Sequence, residues 1–415
     1  MHAAWLIIRQ AIWLNSLLLT GKEAAMLKTL AVANYRSINN LIVPLERLNV
    51  ITGPNGSGKS NLYRALRLLA ETAQGAVTNA LAREGGLDST FWAGPEKISR
   101  RMLNGEVDVQ GGPKEKVTRL RLGFAAEDFS YAISLGLPEP PPRLNPSAFA
   151  LDPEIKRECI WAGDVYRPAS LLVDRAGPMI RARDGRNWDV LAQHTPTFDS
   201  LFDQIGSLRS SPEVLHLRES IRGWRFYDHF RTDSEAPARR AHLGTRTPVL
   251  HHDGRDLAAA LQTILEIGEP EALHAAISDA FPGASLKINV VRGGLFAVEF
   301  YQEGLLRPLS ASELSDGTLR YLLLIAALLT PRPPTMMVLN EPETSLHPDL
   351  LPALARLIIK ASQHCQVWVV SHASRLIAAL EQSPECNAIE LEKVLGQTGI
   401  VGQGMLDAPA WHWPD

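Results

Sequence analysis

Cysteine is scarce in this chain of 415 residues, which contains only Cys159, Cys365 and Cys386. The three are odd in number, lie far apart and form no C-x-x-C pair, so the sequence excludes a disulfide framework and a cysteine-rich zinc site. The sequence therefore predicts a protein of a reducing compartment, the cytoplasm.

A long hydrophobic run and an excess of one charge are also missing. The apolar N-terminal stretch, residues 3–19, is interrupted by Arg9, Gln10 and Asn15 and is too short and too polar to span a bilayer. A net charge of −3, with 21% charged and 45% hydrophobic residues, is typical of a globular protein and excludes a basic nucleic-acid coat. We therefore expect no membrane partner, and any nucleic-acid contact must be local.

The first 25 residues have two interpretations. Met26 opens a clean amphipathic strand, so we interpret Met26 as the natural start and residues 1–25 as a disordered or non-native extension. A signal peptide is the alternative.

Three regions of different pattern follow. Residues 26–200 contain strand-like runs, a glycine-rich loop, a helix and then the short alternating runs of an antiparallel sheet, in which Asp184-Gly185 indicates a hairpin. Residues 201–284 are mainly helical and predict an insertion. In residues 285–415, strands from Ser285 onward alternate with helices. The predicted fold class is α/β, with a mostly parallel core sheet, an antiparallel β lobe and a helical insertion.

The strongest chemical signal is the segment GPNGSGKSN between a predicted strand and a predicted helix, which matches the P-loop pattern G-x-x-x-x-G-K-S. Glycines let the backbone wrap around a phosphate chain, the amide groups and helix start supply partial positive charge, and the lysine adds a full charge. The residues predicted to bind ATP are Gly53, Asn55, Gly56, Ser57, Gly58, Lys59, Ser60 and Asn61. The Ser60 hydroxyl is also a predicted Mg²⁺ ligand.

A second predicted strand ends in Asn340-Glu341. Glu341 is the candidate general base that orients or deprotonates the attacking water. Asn340 stands where a carboxylate usually holds Mg²⁺; its amide oxygen can accept a hydrogen bond from a metal-bound water but lacks the negative charge that attracts the ion. We therefore expect Mg²⁺ to bind through Ser60 and Asn340, and more weakly than to an aspartate.

Two further segments complete the set. The strand QVWVV delivers His372 to the sheet edge, as a candidate sensor of the γ-phosphate; a surface histidine without a role is the alternative. Ser315 and Gly317 lie at the start of the apolar helix LRYLLLIAALL, where a helix N-terminus can receive an anion. An ordinary helix cap is the alternative reading of these two residues.

In this order, the motifs resemble those of the ABC-type ATPases, with LSDGT in the place of the signature sequence and TSLHP in the place of the D-loop. NYRSI, GPNGSGKSN, LSDGTLR and EPETSLHP are most similar to the RecF, SMC and OLD branch, including stand-alone predicted ATPases linked to bacterial genome defence. The resemblance covers roughly residues 26–75 and 285–400. It implies a P-loop NTPase with ABC-type head architecture.

The resemblance also implies a homodimer, or a higher homo-oligomer, that encloses two ATP molecules between its subunits. Each P-loop would face Ser315 and Gly317 of the other subunit, with Ser345 and His347 at the boundary. Arg36 matches a position from which related heads present a basic residue to the nucleotide. The OLD proteins carry a nuclease domain after the ATPase; here only a short strand pair and a tail follow His372, so a separate nuclease or toxin partner is expected to supply such an output.

Three functions follow from these residues: an ATPase coupled to DNA repair, an ATP-gated sensor in antiviral defence that controls a toxic partner, and an ATP-binding scaffold with negligible hydrolysis. DNA contact has its own local signal, since eight arginines lie in residues 209–246, with Trp224, Phe226 and Tyr227 interleaved. A core strand flanked by solvated arginines is the stronger interpretation of that segment.

Overall fold

The structure is a computed structural model, and it describes residues 26–95, 99–108, 118–138, 148–204, 211–404 and 407–414. Residues 1–25, which the sequence predicts to be an extension, lie outside the described residues. Among the described residues, no helix has the length and apolar character needed to cross a membrane.

The described residues form eighteen strands and ten α-helices. The strands are β1 (Leu27–Tyr35), β2 (Ile38–Pro44), β3 (Leu48–Thr52), β4 (Leu120–Ala126), β5 (Phe129–Gly136), β6 (Glu154–Ala162), β7 (Leu171–Ala176), β8 (Met179–Asp184), β9 (Asn187–Ala192), β10 (Arg225–Tyr227), β11 (His242–Leu243), β12 (Ser285–Val291), β13 (Leu295–Tyr301), β14 (Leu309–Ser310), β15 (Met336–Asn340), β16 (Gln366–Val370), β17 (Cys386–Val394) and β18 (Gln397–Ile400). The helices are α1 (Lys59–Thr72), α2 (Val77–Arg83), α3 (Leu87–Thr90), α4 (Arg100–Leu103), α5 (Pro212–Arg222), α6 (Leu257–Ile267), α7 (Pro270–Ala280), α8 (Asp316–Leu328), α9 (Leu351–Ser362) and α10 (Ser374–Leu380).

Two large sheets organise the chain. An eight-stranded antiparallel sheet has the order β2-β1-β4-β5-β6-β7-β8-β9, and a six-stranded sheet has the order β10-β15-β16-β3-β17-β18. In the second sheet the first five strands are parallel and only β18 is antiparallel. The predicted α/β class, with a mostly parallel core and an antiparallel lobe, is confirmed.

The parallel sheet is buried on both faces. Along β16, Trp368 and Val370 join one hydrophobic cluster, whereas Val367 and Val369 join another. The first cluster also contains α1 and the antiparallel sheet, and the second contains α6 to α9. Because successive side chains of a strand point to opposite faces, the run QVWVV serves two cores at once, which explains its continuous hydrophobicity.

The predicted hairpin at Asp184-Gly185 is confirmed, since Asp184 pairs with Asn187 across the turn and Gly185 has a φ of 61°. Another expectation from the sequence is wrong. The strands β12 and β13 were expected in the parallel sheet, but they form an antiparallel hairpin in a separate small sheet with β11 and β14. The three residues between them are too few for a parallel crossover, which requires a dozen or more.

Residues 201–284, predicted as a mainly helical insertion, contain α5, α6 and α7 but also β10, which pairs with β15 and forms the edge of the parallel sheet. This region therefore contributes a strand to the core sheet. The sequence indicates a core strand in this segment, but it does not show that the strand joins the parallel sheet beside β15.

Candidate functional site

Several strands of the parallel sheet end side by side at its carboxyl edge. Asn340 at the end of β15 pairs with Val370 at the end of β16, and Val370 pairs with Ile51 on β3. On the other side, Tyr227 of β10 pairs with Leu339. The glycine loop after β3, the Asn-Glu pair after β15 and the Ser-His pair after β16 therefore emerge at one edge, which is where open α/β sheets bind ligands.

The glycine loop has the backbone that its sequence requires. Gly53, Gly56 and Gly58 have φ values of 132°, 80° and 113°, which side chains disfavour, and α1 begins directly after Gly58. Lys59 Nζ donates hydrogen bonds to the carbonyl oxygens of Gly53 at 2.6 Å and Pro54 at 3.1 Å. The ammonium group thus lies within the loop at the start of a helix, the arrangement that favours an anion.

The hairpin of β17 and β18 supports this loop from behind. A Cβ atom on Gly58 would lie 2.1 Å from Oγ1 of Thr398, and one on Gly53 would lie 2.2 Å from the carbonyl oxygen of Leu391. Thr398 donates a hydrogen bond to the carbonyl oxygen of Ser57 at 2.8 Å. The glycines are therefore needed for close packing as well as for positive φ.

A buried hydroxyl network continues from this contact. Ser37 Oγ lies 2.7 Å from Thr398 Oγ1, and Asn61 Nδ2 donates to Ser37 Oγ at 2.8 Å. Sequence reasoning missed Ser37 and Thr398, because Ser37 and Thr398 are separated by 361 positions and carry no motif. Asn61, predicted to bind nucleotide, is held in this network and connects α1 to the turn after β1.

Arg36, which was also predicted to contact the nucleotide, has a positive φ of 51° and points its guanidinium to Glu84. Its Nη2 lies 2.7 Å from Glu84 Oε2, which also accepts a hydrogen bond from the Tyr35 hydroxyl at 2.6 Å. Burial, reinforced by Glu84, raises the pKa of Tyr35. Arg36 thus lies near the P-loop helix, with its charge already balanced.

A cavity of about 550 Å³ opens beside α1, and its lining extends from Ser60 in the first turn to Glu71 in the last. We call it the P-loop cavity, and its polar lining includes Ser60, Tyr63, Arg64, Arg67, Glu71, Asp228 and Asn340. The structure therefore brings the two predicted Mg²⁺ residues, Ser60 and Asn340, into one cavity. Asp228, the residue after β10, was not identified from the sequence.

Glu341 follows Asn340 in a strained backbone conformation. Its φ is 49°, a region that costs a non-glycine residue about 1–3 kcal/mol. Its N–H donates to the carbonyl oxygen of Val370 at 2.8 Å, and its own carbonyl oxygen accepts from Arg320 Nη2 at 3.2 Å. The side chain stays about half exposed, at 51%, so these backbone bonds fix the position from which the carboxylate can meet water.

His372 is aligned beside Glu341 by a buried carboxylate. Its Nδ1 lies 3.9 Å from Glu341 Oε1 and 3.4 Å from Glu343 Oε1. Glu343 Oε1 also accepts hydrogen bonds from the Ser371 hydroxyl at 2.7 Å and from the backbone N–H groups of His372 at 3.0 Å and Ala373 at 3.2 Å. Glu343 was missed from the sequence although it stands only two residues after Glu341.

A second cavity, of about 690 Å³, includes Ser315, Gly317, Thr318, Ser345 and His347 in its lining, and we call it the signature cavity. Ser315 caps α8 by accepting a hydrogen bond from the Thr318 N–H at 3.2 Å. A Cβ on Gly317 would lie 2.9 Å from the carbonyl oxygen of Ser345. The predicted signature and boundary residues are therefore neighbours, and the P-loop residues do not line their cavity.

Arg239 anchors the loop that leads into α8. Its Nη1 donates to the carbonyl oxygens of Ala311 at 3.0 Å and Leu314 at 2.7 Å, and its Nη2 lies 2.7 Å from Asp316 Oδ1. The side chain is only 8% exposed. The sequence analysis placed this arginine in a basic segment and did not predict its contact with the loop before α8.

The rest of that basic segment supports its interpretation as a core strand. Trp224 and Tyr227 are buried, and Phe226 packs against the core, so these rings do not form an exposed stacking surface. Arg231 pairs with Asp233, and Arg240 pairs with Glu235. Arg209 lies outside the described residues.

Comparison with known proteins gives a family and two structural likenesses. No curated protein matches the chain. The SMC head domain from Thermotoga maritima is 14% identical, with 92% of this chain and 100% of that chain covered at a TM-score of 0.42. The Smc head domain with an extended coiled coil from Pyrococcus furiosus, solved with the C-terminal domain of ScpA, is 13% identical, with 92% of this chain and 98% of that chain covered at a TM-score of 0.45.

One family model matches residues 48–140 and 184–378, which is more than half of the chain. The matched stretches include the glycine loop, the Ser315 segment, the Asn-Glu pair and His372, whereas the segment NYRSI lies before them. The chain therefore belongs to the family described as "AAA domain, putative AbiEii toxin, Type IV TA system".

Proposed function

We propose that the protein is a Mg²⁺-dependent ATPase that closes around ATP as a homodimer and thereby controls a defence or DNA-related process in the cytoplasm. The observation that carries the proposal is the register of β3, β15 and β16, which aligns the glycine loop, Glu341 and His372 along one sheet edge. Catalysis of phosphoryl transfer depends on positioning and on stabilising charge, and groups aligned along one sheet edge can supply both.

Each candidate residue has a role in this proposal. The loop amides and Lys59 bind the phosphates, Glu341 orients or deprotonates the attacking water, and His372 contacts the γ-phosphate. The oxygen atoms of Ser60 and Asn340 are ligands that suit Mg²⁺, and both residues line the P-loop cavity. When bound there, Mg²⁺ would neutralise phosphate charge.

The dimer is supported by the separation of the two cavities. Ser315 and Gly317 line the signature cavity, and no residue of the glycine loop, nor Ser60, lines that cavity. The N-terminus of α8, with 13 residues, can receive a phosphate from a second subunit. Two copies related by a two-fold axis would then complete two sites.

The experiment combines size-exclusion chromatography with an ATPase assay on the native chain, Lys59→Ala and Glu341→Gln. We expect ATP and Mg²⁺ to dimerise the native chain and Glu341→Gln, with turnover of Glu341→Gln reduced about 10²- to 10⁴-fold. Lys59→Ala is expected to lose both nucleotide binding and dimerisation. If Lys59→Ala binds ATP like the native chain, the proposal is wrong.

A second function, an ATP-gated sensor or scaffold with very slow hydrolysis, is favoured by Asn340, which supplies no charge to the metal. The family description, which names a putative toxin and a toxin–antitoxin system, favours a toxin or nuclease partner over DNA. A sensor would show ATP-dependent release of a co-purifying partner, whereas a DNA-coupled motor would show DNA-stimulated turnover with a steep salt dependence.

A further inference from the structure

The P-loop cavity contains a carboxylate that no motif assigns. Asp228 directly follows β10, and Asn340 ends β15; since Tyr227 pairs with Leu339 in parallel register, Asp228 and Asn340 occupy equivalent places at the same sheet edge. Both residues line the cavity into which Ser60 also opens. The Asp228 carboxylate therefore carries a negative charge at the end of the strand next to β15, where Asn340 carries none.

The two oxygens of Asp228 differ in their surroundings. Oδ2 accepts a hydrogen bond from Arg67 Nη1, and Arg67 also donates to the Tyr63 hydroxyl at 3.3 Å. Oδ1 is buried and makes no hydrogen bond of ordinary geometry with the described residues, although the Asp228 carboxylate lies near enough to the Tyr63 hydroxyl to help burial raise the pKa of Tyr63. An unpaired buried carboxylate oxygen is costly and calls for an explanation, and a bound cation is one.

The other acidic residues of the cavity lining form ion pairs with arginines. Glu71 pairs with Arg83 at 2.6 Å, and Glu84 pairs with Arg36 at 2.7 Å and with the Tyr35 hydroxyl. Neither follows a strand of the parallel sheet, since Glu71 lies in the last turn of α1 and Glu84 follows α2. Among the described acidic residues of this cavity, only Asp228 combines a place at the sheet edge with an unpaired oxygen.

We infer that Asp228 supplies the carboxylate of the Mg²⁺ site, directly or through a metal-bound water, and so replaces the charge that Asn340 lacks. The Arg67 guanidinium balances the negative charge of Asp228 until the metal binds, because Mg²⁺ and the guanidinium compete for the same carboxylate. The inference rests on the proposed binding of ATP with Mg²⁺. It predicts that removing Asp228 and removing Arg67 change the affinity for the metal in opposite directions.

The test is a calorimetric titration with a non-hydrolysable ATP analogue, once in EDTA and once in excess Mg²⁺. The Kd in EDTA divided by the Kd in Mg²⁺ reports how far Mg²⁺ tightens nucleotide binding. The affinity of Mg²⁺ for the free nucleotide is the same for every variant, so it cancels when variants are compared. We expect Asp228→Asn to lower this ratio about 10- to 100-fold, the usual cost of removing a carboxylate that supports a metal. Binding in EDTA should stay close to native.

Two further variants separate a metal ligand from a structural ion pair. Arg67→Met should raise the ratio, because it frees Asp228; a fall similar to that of Asp228→Asn would show that Asp228 acts only by holding Arg67, and would overturn the inference. The double variant Asp228→Asn/Asn340→Asp should recover most of the native ratio, since it moves the charge to the neighbouring strand. Thermal unfolding without nucleotide checks that each variant is folded.

The remaining outcomes are distinguishable. An unchanged ratio in Asp228→Asn overturns the inference and leaves the proposed function intact. Failure of the native chain to bind the nucleotide in either buffer overturns the proposed function itself.

Discussion

Glu343 is the residue whose single oxygen organises the turn after β16. Its Oε1 accepts three hydrogen bonds, from the Ser371 hydroxyl and from the N–H groups of His372 and Ala373, and its side chain is 6% exposed. Oε2 is buried without a hydrogen-bond partner among the described residues. A single oxygen, Oε1, therefore holds both the Ser371 hydroxyl and the backbone of His372 and Ala373.

We predict that Glu343→Leu lowers the free energy of unfolding by about 2–4 kcal/mol, because it leaves the buried Ser371 hydroxyl unpaired, at about 1–3 kcal/mol, and the partly buried N–H groups of His372 and Ala373 unpaired at a smaller cost. Turnover should fall with little change in ATP affinity, since His372 loses its alignment while the P-loop is untouched. Urea unfolding and nucleotide titration measure the two effects. Glu343→Gln is the matched control, because its amide oxygen can keep all three bonds; equal loss in both variants would contradict this role.

At the residue scale, the sequence predicts what lies in a contiguous motif and misses what supports it from afar. Lys59, Glu341 and His372 are recognisable because a loop or a strand end brings their chemistry together in a few positions. Thr398 supports the loop at Ser57 from 341 positions away. Such a contact exists only after the sheet has formed, so no local pattern carries it.

The C-terminal hairpin is the element that fixes the P-loop. Thr398 on β18 donates to the Ser57 carbonyl oxygen at 2.8 Å and lies 2.7 Å from the Ser37 hydroxyl. β17 pairs in parallel with β3, the strand that enters the loop. The hairpin therefore holds both the strand and the loop.

We predict that Thr398→Val reduces ATP affinity about 3- to 10-fold and destabilises the fold by about 1–2 kcal/mol, because it removes the hydroxyl while keeping the shape. Thr398→Ser keeps the hydroxyl and should bind ATP like the native chain. Nucleotide titration and chemical unfolding compare the pair. If valine and serine variants bind ATP equally well, the hairpin does not position the loop.

The loop before α8 depends on one buried arginine, and this gives a prediction about dimerisation. Arg239→Met removes donors to the Ala311 and Leu314 carbonyl oxygens and to Asp316. ATP-dependent dimerisation should weaken at least about tenfold, since bonds to charged groups contribute about 1.5–3 kcal/mol each. ATP binding by the monomer should persist, because the P-loop lies elsewhere.

Arg240→Met is the matched control for this variant. Arg240 is the next residue, is 60% exposed and pairs with Glu235, and an exposed pair of this kind contributes about 0–1 kcal/mol. Analytical ultracentrifugation with ATP and Mg²⁺ compares the two variants with the native chain. Equal dimerisation of Arg239→Met and the native chain would show that the loop needs no anchor.

Among elements, those with a long regular pattern could be predicted and those defined by their neighbours could not. The helix after the P-loop is predicted from its helical periodicity, and the strand QVWVV from its continuous hydrophobic run. β10 lies in the segment interpreted as a core strand, but its pairing with β15 at the edge of the parallel sheet could not be predicted. β12 and β13 were correctly predicted to be strands. Their place in a separate antiparallel sheet follows from the short connection between them, which the prediction did not take into account.

At the scale of the whole molecule, the two cavities hold complementary halves of one proposed site. The P-loop cavity contains Ser60 and Asn340, whereas the signature cavity contains Ser315 and Gly317. An isologous dimer places the same two surfaces against each other twice. Each composite site would then take its P-loop from one subunit and its signature segment from the other.

This arrangement predicts complementation between two inactive variants. Lys59→Ala and Ser315→Arg should each lose turnover alone. In a mixed dimer, both defects fall in one composite site and the other site is intact. Because Lys59→Ala does not dimerise with itself, the mixed dimer is the dimer that can bind ATP at an intact site. If every subunit enters a mixed dimer, one site of two works, so the mixture should recover up to about one half of native turnover. Lys59→Ala mixed with the double variant Lys59→Ala/Ser315→Arg should recover none, because no intact site can form. A mixture of the single variants that forms dimers but stays at background turnover would mean that each subunit completes its site alone.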